Sequence, residues 1–233
     1  MAETVSTRPP VGTLEVIAGP MYAEKTTYLL RLANLKRRAV KVLYVGPARD
    51  TRSTEAFSTH NDLLSSEQLL SIFAKGTKVD MIKVDTLAEL TDSYVSNYRC
   101  VLIDEGQFFP DLPEEVTRFV EKLGKSVHVV ALSGDYQRKN FGRVHELVPL
   151  AERFELVTTL CEICADHGVE TNANFTQRKV DVSGKQEEIG SDNYRPVCRQ
   201  CYVDPLWDTE ELVKSEAPLS TNQKRKAKGK RGG

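Results

Sequence analysis

The stretch that decides the fold is Gly19-Pro20-Met21-Tyr22-Ala23-Glu24-Lys25-Thr26. An apolar run, Leu14–Ala18, precedes it, and a run with helical apolar spacing, Thr27–Arg38, follows it. The order strand, glycine turn, Lys-Thr, helix is typical of a phosphate-binding loop. Backbone N–H groups there hold phosphates at a helix N-terminus. In such a loop Lys25 would reach the β- and γ-phosphates, and the Thr26 hydroxyl would bind Mg²⁺.

Glu24 departs from this pattern, which has glycine just before the lysine. A carboxylate beside a triphosphate repels it, and a side chain crowds a tight turn. From this stretch alone, a phosphate-binding loop and an ordinary strand–helix turn are equally acceptable interpretations.

A second stretch, Cys100–Glu105, reads as an apolar strand that ends in two carboxylates, Asp104 and Glu105. Ligands of parallel sheets bind at the carboxyl ends of the strands, and acidic residues there hold magnesium in nucleotide-dependent enzymes. The alternative is that Asp104 only caps the following turn.

Strands and helices alternate over about 150 residues, which predicts an α/β domain with a parallel sheet. We expect a flexible leader at 1–11, this domain at 12–158, a smaller metal-binding domain at 159–205 and a mobile basic tail at 206–233. The strands are expected at 13–18, 41–45, 80–84, 100–103, 126–132 and 154–159, and the helices at 26–38, 66–74, 86–96, 113–123 and 144–152.

Four of the five cysteines form two Cys-x-x-Cys pairs, Cys161/Cys164 and Cys198/Cys201. Four thiolates at this spacing are typical of tetrahedral zinc, and with no open coordination position the zinc would be structural. Disulfides and free thiols are the alternatives. Cys100 stands apart and is expected to be a buried thiol.

The net charge of −1 hides an asymmetry, because six basic residues lie between 224 and 231 and leave an acidic body. An acidic body argues against nucleic-acid binding by the fold. No apolar run approaches the roughly 18 residues of a membrane span, and the amino terminus lacks a signal-peptide core. We expect a cytoplasmic protein with no membrane partner. The tail is interpreted as a solvated charge run, with a signal that allows nuclear entry or a weak polyanion contact as the alternatives.

In order along residues 12–203, six motifs resemble those of the type II thymidine kinases, the cytosolic and viral class: Gly19–Thr26, Asp50-Thr51-Arg52, Ile103–Pro110, Gln137–Gly142, Leu147–Glu152 and Gly190–Tyr202. The resemblance implies a P-loop NTPase-like parallel sheet flanked by helices, plus a small zinc-ribbon-like domain that carries a lasso loop. It also implies ATP, Mg²⁺ and structural zinc, and transfer of the γ-phosphoryl group to the 5′-hydroxyl of thymidine, with deoxyuridine as an alternative acceptor. A homotetramer and feedback inhibition by thymidine triphosphate are further implications.

The resemblance also assigns site residues. Asp104 holds Mg²⁺ with Thr26, and Glu105 acts as general base, a division that fits the opposite orientation of adjacent strand residues. Arg52 stabilises the transferring phosphoryl group, and Lys25 acts with it. Nucleotide contacts also come from Gly19–Thr26, Asp50, Thr51 and Gln107. The residues expected to form the nucleoside pocket are Met21, Phe108, Leu132, Tyr136, Tyr194 and the lasso residues Gln186, Glu187, Glu188, Ile189 and Gly190.

Three hypotheses follow. The first is an active thymidine kinase. The second is a weakly active or inactive nucleotide-binding homologue, for which Glu24 is the only support in the sequence. The third is a nucleic-acid-dependent ATPase with a zinc ribbon, against which the acidic body argues.

Overall fold

The computed structural model describes residues 11–49, 71–74, 76–179 and 193–204, and its centre is a six-stranded parallel sheet. The strands are β1 (Thr13–Gly19), β2 (Val42–Pro47), β3 (Val79–Val84), β4 (Cys100–Ile103), β5 (Ser126–Leu132) and β6 (Arg153–Leu156). They lie in the order β3-β2-β4-β5-β1-β6. The predicted α/β class is therefore confirmed. Because β5 lies between β1 and β4, the loops that follow these three strands meet at one edge.

Apolar side chains cover both faces of the sheet, as expected for parallel strands. Along β1, Leu14 and Val16 point to one face and Ile17 to the other. The second face packs against helix α1 (Lys25–Lys36), and Cys100 lies there. Cys100 is a free thiol with 1% of its surface exposed, which confirms the buried thiol. Burial raises its pKa to about 11.

The first face is covered by short helical segments. These are the 3-10 turns Leu87–Glu89 and Val144–Leu150, and helices α2 (Asp92–Val95) and α3 (Leu112–Thr117). Helix α3 continues as a wider π-helical turn, Arg118–Lys122. The prediction of one helix over 86–96 was therefore wrong, and the helix expected at 144–152 is of the 3-10 type and ends at Leu150.

Local capping explains the first of these differences. Thr86 and Glu89 form a capping box around the first 3-10 turn. Two residues later, the Thr91 hydroxyl accepts a hydrogen bond from the Tyr94 N–H and starts α2. Two start signals so close together leave no room for one long helix. In the segment Val144–Leu150, Pro149 lies inside and cannot donate the N–H that an α-helix requires.

Residues beyond β6 form a small unit around the four paired cysteines. It contains β7 (Thr159–Leu160), α4 (Glu162–Asp166), β8 (Asn172–Ala173), β9 (Phe175–Arg178), β10 (Tyr194–Val197) and α5 (Arg199–Val203). Strand β7 pairs antiparallel with β8, and β9 pairs antiparallel with β10. The cysteines and Ile163, Ala173 and Val197 make up its buried core.

Within the described ranges, no helix combines the length and the apolar character that crossing a bilayer requires. The expected leader and basic tail, and most of the helix expected at 66–74, lie outside the described residues.

Gly142 gives a test of the fold next to the sheet edge. It has φ +60°, and a Cβ there would lie 2.1 Å from the backbone oxygen of Gln107. Gly168 has φ +72° and nothing within 4 Å of such a Cβ. We expect Gly168→Ala to lower the free energy of unfolding by about 1 kcal/mol, from backbone strain alone. Gly142→Ala adds a backbone collision and should cost about 3 kcal/mol or more.

Urea unfolding of the two variants measures the difference. Equal losses would show that the loop containing Gly142 is not pressed against the Gln107 turn.

Candidate active site

The loop between β1 and α1 contains two residues with left-handed backbone, Tyr22 at φ 63° and Glu24 at φ 52°. Helix α1 then begins at Lys25, and the Glu24 carbonyl accepts the first helical hydrogen bond from the Tyr28 N–H at 2.9 Å. The strand–turn–helix layout is therefore present. Glu24 adopts a conformation that glycine reaches without strain, and its side chain is exposed.

Lys25 folds back over this loop. Its Nζ donates a hydrogen bond to the Pro20 carbonyl at 2.6 Å. Burial lowers its pKa to about 8, while the nearby carboxylates of Glu105 and Asp104 act in the opposite direction. A bound anion would favour the charged form of the lysine.

Asp104 lies just beyond β4, and three donors hold its carboxylate. Oδ1 accepts from the Thr26 hydroxyl at 3.2 Å and from the Glu105 N–H at 2.9 Å. Oδ2 accepts from the Tyr44 hydroxyl at 2.6 Å. Burial, followed by the charge of Glu105, raises the pKa of Asp104, and the three hydrogen bonds oppose that rise. A carboxylate beside a helix-terminal threonine hydroxyl supplies the oxygen ligands that a magnesium ion prefers.

Glu105 has a separate set of contacts. Its backbone is left-handed, with φ 51°, so the chain turns sharply after Asp104 into the 3-10 turn Gly106–Phe108. Gln107, which is 3% exposed, donates from Nε2 to the Glu105 carboxylate. Its Oε1 accepts from the Leu132 N–H at 3.0 Å. The two adjacent carboxylates thus point to different partners because of this turn, and not because of strand alternation as predicted, since β4 ends at Ile103.

Aromatic residues lie next to this turn. The rings of Phe108 and Phe141 pack edge to face, with centroids 5.4 Å apart. The Arg49 guanidinium lies 5.2 Å from the Phe108 ring centre. Half-buried Leu132 lines a cleft of about 180 Å³ together with Phe141. Phe108 and Leu132 therefore lie at the same edge of the sheet as the two carboxylates.

The cysteine-containing unit contacts this edge through hydrogen bonds and a guanidinium–ring contact. The Met21 N–H donates to the Thr176 hydroxyl at 3.0 Å. Buried Arg178 lies 3.9 Å from the centre of the Tyr136 ring, and its Nη2 donates to the Tyr194 hydroxyl at 3.0 Å. These contacts bring predicted pocket residues Met21, Tyr136 and Tyr194 together.

Arg178 contacts the ring of Tyr136, and a second residue of the cysteine-containing unit contacts its backbone. The Tyr202 hydroxyl donates to the Tyr136 carbonyl at 2.7 Å. Next to Tyr136, the Asp135 carboxylate accepts from the backbone N–H groups of Gln137 and Lys139, both at 2.8 Å. The loop that carries Tyr136 is therefore closed on itself and fixed to α5.

The four paired cysteines form a buried cluster whose sulfur atoms all lie within 4.8 Å of one another. The Sγ of Cys164 lies 3.9 Å from that of Cys198 and 3.6 Å from that of Cys201. A zinc–sulfur distance of about 2.3 Å gives a tetrahedron with edges of about 3.8 Å. The spacing fits zinc and exceeds the roughly 2.05 Å of a disulfide.

Not every predicted site residue falls in the described ranges. Asp50, Thr51, Arg52 and the lasso residues Gln186–Gly190 lie outside them. Sequence reasoning missed Tyr44, Thr176 and Arg178. Tyr44 sits in an apolar strand and looks like core. Thr176 and Arg178 are two residues apart in a short strand and therefore lie on the same face of it. Nothing in the sequence places that face against the loop after β1.

Comparison with known proteins agrees with this geometry. The family model described as "Thymidine kinase" matches residues 12–202. The chain is 34% identical to cytosolic thymidine kinase of Bos taurus over 230 residues, which covers 94% of this chain and 86% of the relative. It is 35% identical to the human cytosolic enzyme over 192 residues, covering 82% and 73%. Identity to thymidine kinase of rabbit fibroma virus is 35% over 195 residues, covering 82% and 96%. The chain belongs to the thymidine kinase family.

Proposed function

We propose that this protein transfers the γ-phosphoryl group of ATP to the 5′-hydroxyl of thymidine, with deoxyuridine as an alternative acceptor. The observation that carries the proposal is the placement of Asp104 and Glu105. These adjacent carboxylates have separate partners, one beside Thr26 and the other fixed to β5 through Gln107. Phosphoryl transfer needs this division, because one acid serves the metal and the other serves the acceptor hydroxyl.

The donor phosphates are assigned to the loop Gly19–Thr26 and to Lys25. The first backbone N–H groups of α1 and the lysine ammonium supply positive charge to them. Asp104 and Thr26 would hold magnesium. A bound magnesium ion neutralises charge on the transferring phosphoryl group. Asp50, Thr51 and Arg52 stay predictions in this scheme, with Arg52 stabilising the same charge.

Glu105 is assigned as the general base. Its carboxylate takes the proton of the 5′-hydroxyl while that oxygen bonds to the γ-phosphorus, and the bond from phosphorus to the β-phosphate oxygen breaks to release ADP. Gln107 was predicted to contact the nucleotide. Its contacts with Glu105 and Leu132 support a positioning role instead.

The nucleoside pocket is assigned to Phe108 and Leu132 on the sheet side and to Met21, Tyr136 and Tyr194 where the cysteine-containing unit contacts it. The edge-to-face ring pair and the Arg178 contacts support this assignment, because apolar walls with a few oriented polar groups suit a nucleobase. The lasso residues Gln186–Gly190 stay predictions.

The remaining assignments rest on the family. We propose structural zinc at the four cysteines, a kinase domain at 12–158 and a zinc domain at 159–205. A cytosolic location is supported by relatives named cytosolic. The homotetramer and inhibition by thymidine triphosphate rest on the resemblance alone, and nuclear entry rests on the tail sequence alone. Exposure of Glu24 and retention of Lys25, Thr26, Asp104 and Glu105 favour the active enzyme over the inactive homologue.

The first prediction concerns Glu105. With ATP, Mg²⁺ and thymidine, we expect turnover by the wild-type protein and a fall in kcat of roughly 10²-fold or more in Glu105→Gln, because an amide cannot accept the proton. KM for thymidine should change much less. Radiolabelled thymidine phosphorylation measures both constants.

Glu121→Gln is the matched control, since this glutamate is exposed in the π-helical turn. Wild-type kcat in Glu105→Gln would refute its role as the base. No turnover by folded, zinc-loaded wild-type protein would reject the proposed function.

The second prediction concerns Glu24. Glu24→Gly should raise the free energy of unfolding by about 1 kcal/mol, because glycine tolerates the left-handed backbone. It should also lower KM for ATP roughly two- to fivefold, because a negative charge beside the phosphates is removed. Glu24→Gln keeps the strained backbone and removes only the charge, so it should change KM without the gain in stability. Unchanged KM in both variants would mean that the carboxylate has no effect on the phosphates.

The third prediction concerns the metal. We expect one zinc per chain in the purified protein, and loss of that zinc in Cys164→Ser. KM for thymidine should rise about tenfold or more, because Tyr194 lies on β10, which ends one residue before Cys198, and Tyr202 lies on α5 next to Cys201. Cys100→Ala should keep its zinc. Metal analysis and thermal unfolding give readouts independent of activity, and full zinc content in Cys164→Ser would contradict the assignment.

A further inference from the structure

Tyr44 is a polar side chain in a strand that is otherwise apolar. It lies in the middle of β2 and is 3% exposed. Its ring packs edge to face on Phe73, with centroids 5.6 Å apart. A phenylalanine would make the same ring contact, so the ring contact does not explain the hydroxyl. A buried hydroxyl costs free energy unless it is hydrogen-bonded.

The hydroxyl reaches the carboxylate assigned to the metal. Tyr44 Oη donates to Asp104 Oδ2 at 2.6 Å, within the short range of charge-assisted hydrogen bonds. The other carboxylate oxygen, Oδ1, already accepts from Thr26 and from the Glu105 N–H. Donors on both oxygens fix the rotation of the carboxylate about its Cβ–Cγ bond. Without Tyr44, only Oδ1 would be held by these contacts.

Lone-pair counting gives this arrangement a further consequence. A carboxylate offers about four acceptor positions. Two donors fill those of Oδ1 and Tyr44 fills one of Oδ2, so the contacts among the described residues leave one position on Oδ2 open. The Thr26 hydroxyl also leaves Oδ1 if it turns to offer its own oxygen to a cation. Tyr44 on Oδ2 and the two donors on Oδ1 thus hold the carboxylate in one orientation.

We propose that Tyr44 is a positioning residue that fixes the Asp104 carboxylate for divalent-cation binding. The inference rests on the proposed function, because it takes Asp104 to be a metal ligand. Hydrogen bonds to a ligating carboxylate from outside the coordination sphere typically change metal affinity by about 10- to 100-fold. Tyr44 acts on the metal through Asp104, so its hydroxyl should affect metal binding and not the affinity for thymidine.

Tyr44→Phe tests the proposal, and Tyr98→Phe is its matched control. Tyr98 is also buried, 5% exposed, and its hydroxyl donates to the Asp80 carboxylate at 2.8 Å, on β3. Mn²⁺ binding in the presence of a non-hydrolysable ATP analogue is measured by electron paramagnetic resonance. We expect about tenfold weaker Mn²⁺ binding in Tyr44→Phe and less than a twofold change in Tyr98→Phe. KM for thymidine should stay within twofold of wild type in both.

A double-mutant cycle with Asp104→Asn adds an independent readout. If Tyr44 acts through Asp104, Tyr44→Phe should not change Mn²⁺ binding any further in the Asp104→Asn background. Equal Mn²⁺ affinities in wild type and Tyr44→Phe, or an equal loss in both backgrounds, would overturn the inference. Neither result would affect the proposed function, which fails only if wild-type protein does not phosphorylate thymidine.

Should Tyr44→Phe not fold, comparing Asp104→Asn with wild type still shows whether the carboxylate binds Mn²⁺. No difference would overturn the inference.

Discussion

The sharp turn at Glu105 is the constraint on which the site depends. Two carboxylates on adjacent residues repel each other, and burial makes the repulsion stronger. The left-handed backbone of Glu105 directs the two side chains apart. Asp104 stays on the side of β2 and α1, and Glu105 turns toward β5. The turn is fixed by Gln107, which spans from Glu105 to the end of β5, and by Gly142, whose missing Cβ allows close contact with the Gln107 carbonyl.

The cysteine-containing unit contacts this edge of the sheet at several points. Its strand β9 meets the loop after β1 at Thr176 and meets Tyr136 at Arg178. Helix α5 adds the Tyr202 bond to the same loop as Tyr136. Tyr202 directly follows Cys201, and β9 pairs with β10, which ends one residue before Cys198. A metal bound by the four cysteines would therefore hold the geometry of the proposed substrate site as well as the fold of the unit.

The sequence was sufficient for the class of fold, the cysteine cluster and the two carboxylates, because each depends on a local pattern. Strand ends, paired cysteines and a helix after a turn can be read within ten residues. The helix expected at 86–96 failed because two capping signals, Thr86–Glu89 and Thr91, compete within one stretch. The long-range contacts could not be predicted from the sequence. Tyr44 lies 60 residues from Asp104, and Met21 lies 155 from Thr176.

The pairing of β9 with β10 affects how the segment between these two strands can change during evolution. The Lys179 N–H donates to the Asn193 carbonyl at 2.8 Å, so the two ends of the intervening segment are tied together at its base. Closing a longer loop on fixed ends costs little, about 0.6 kcal/mol for each doubling of its length. Insertions and substitutions between these ends are therefore thermodynamically inexpensive for the rest of the protein. On the proposed assignment of Gln186–Gly190 to the nucleoside, acceptor preference can diverge within this segment while the proposed phosphate-binding loop stays the same.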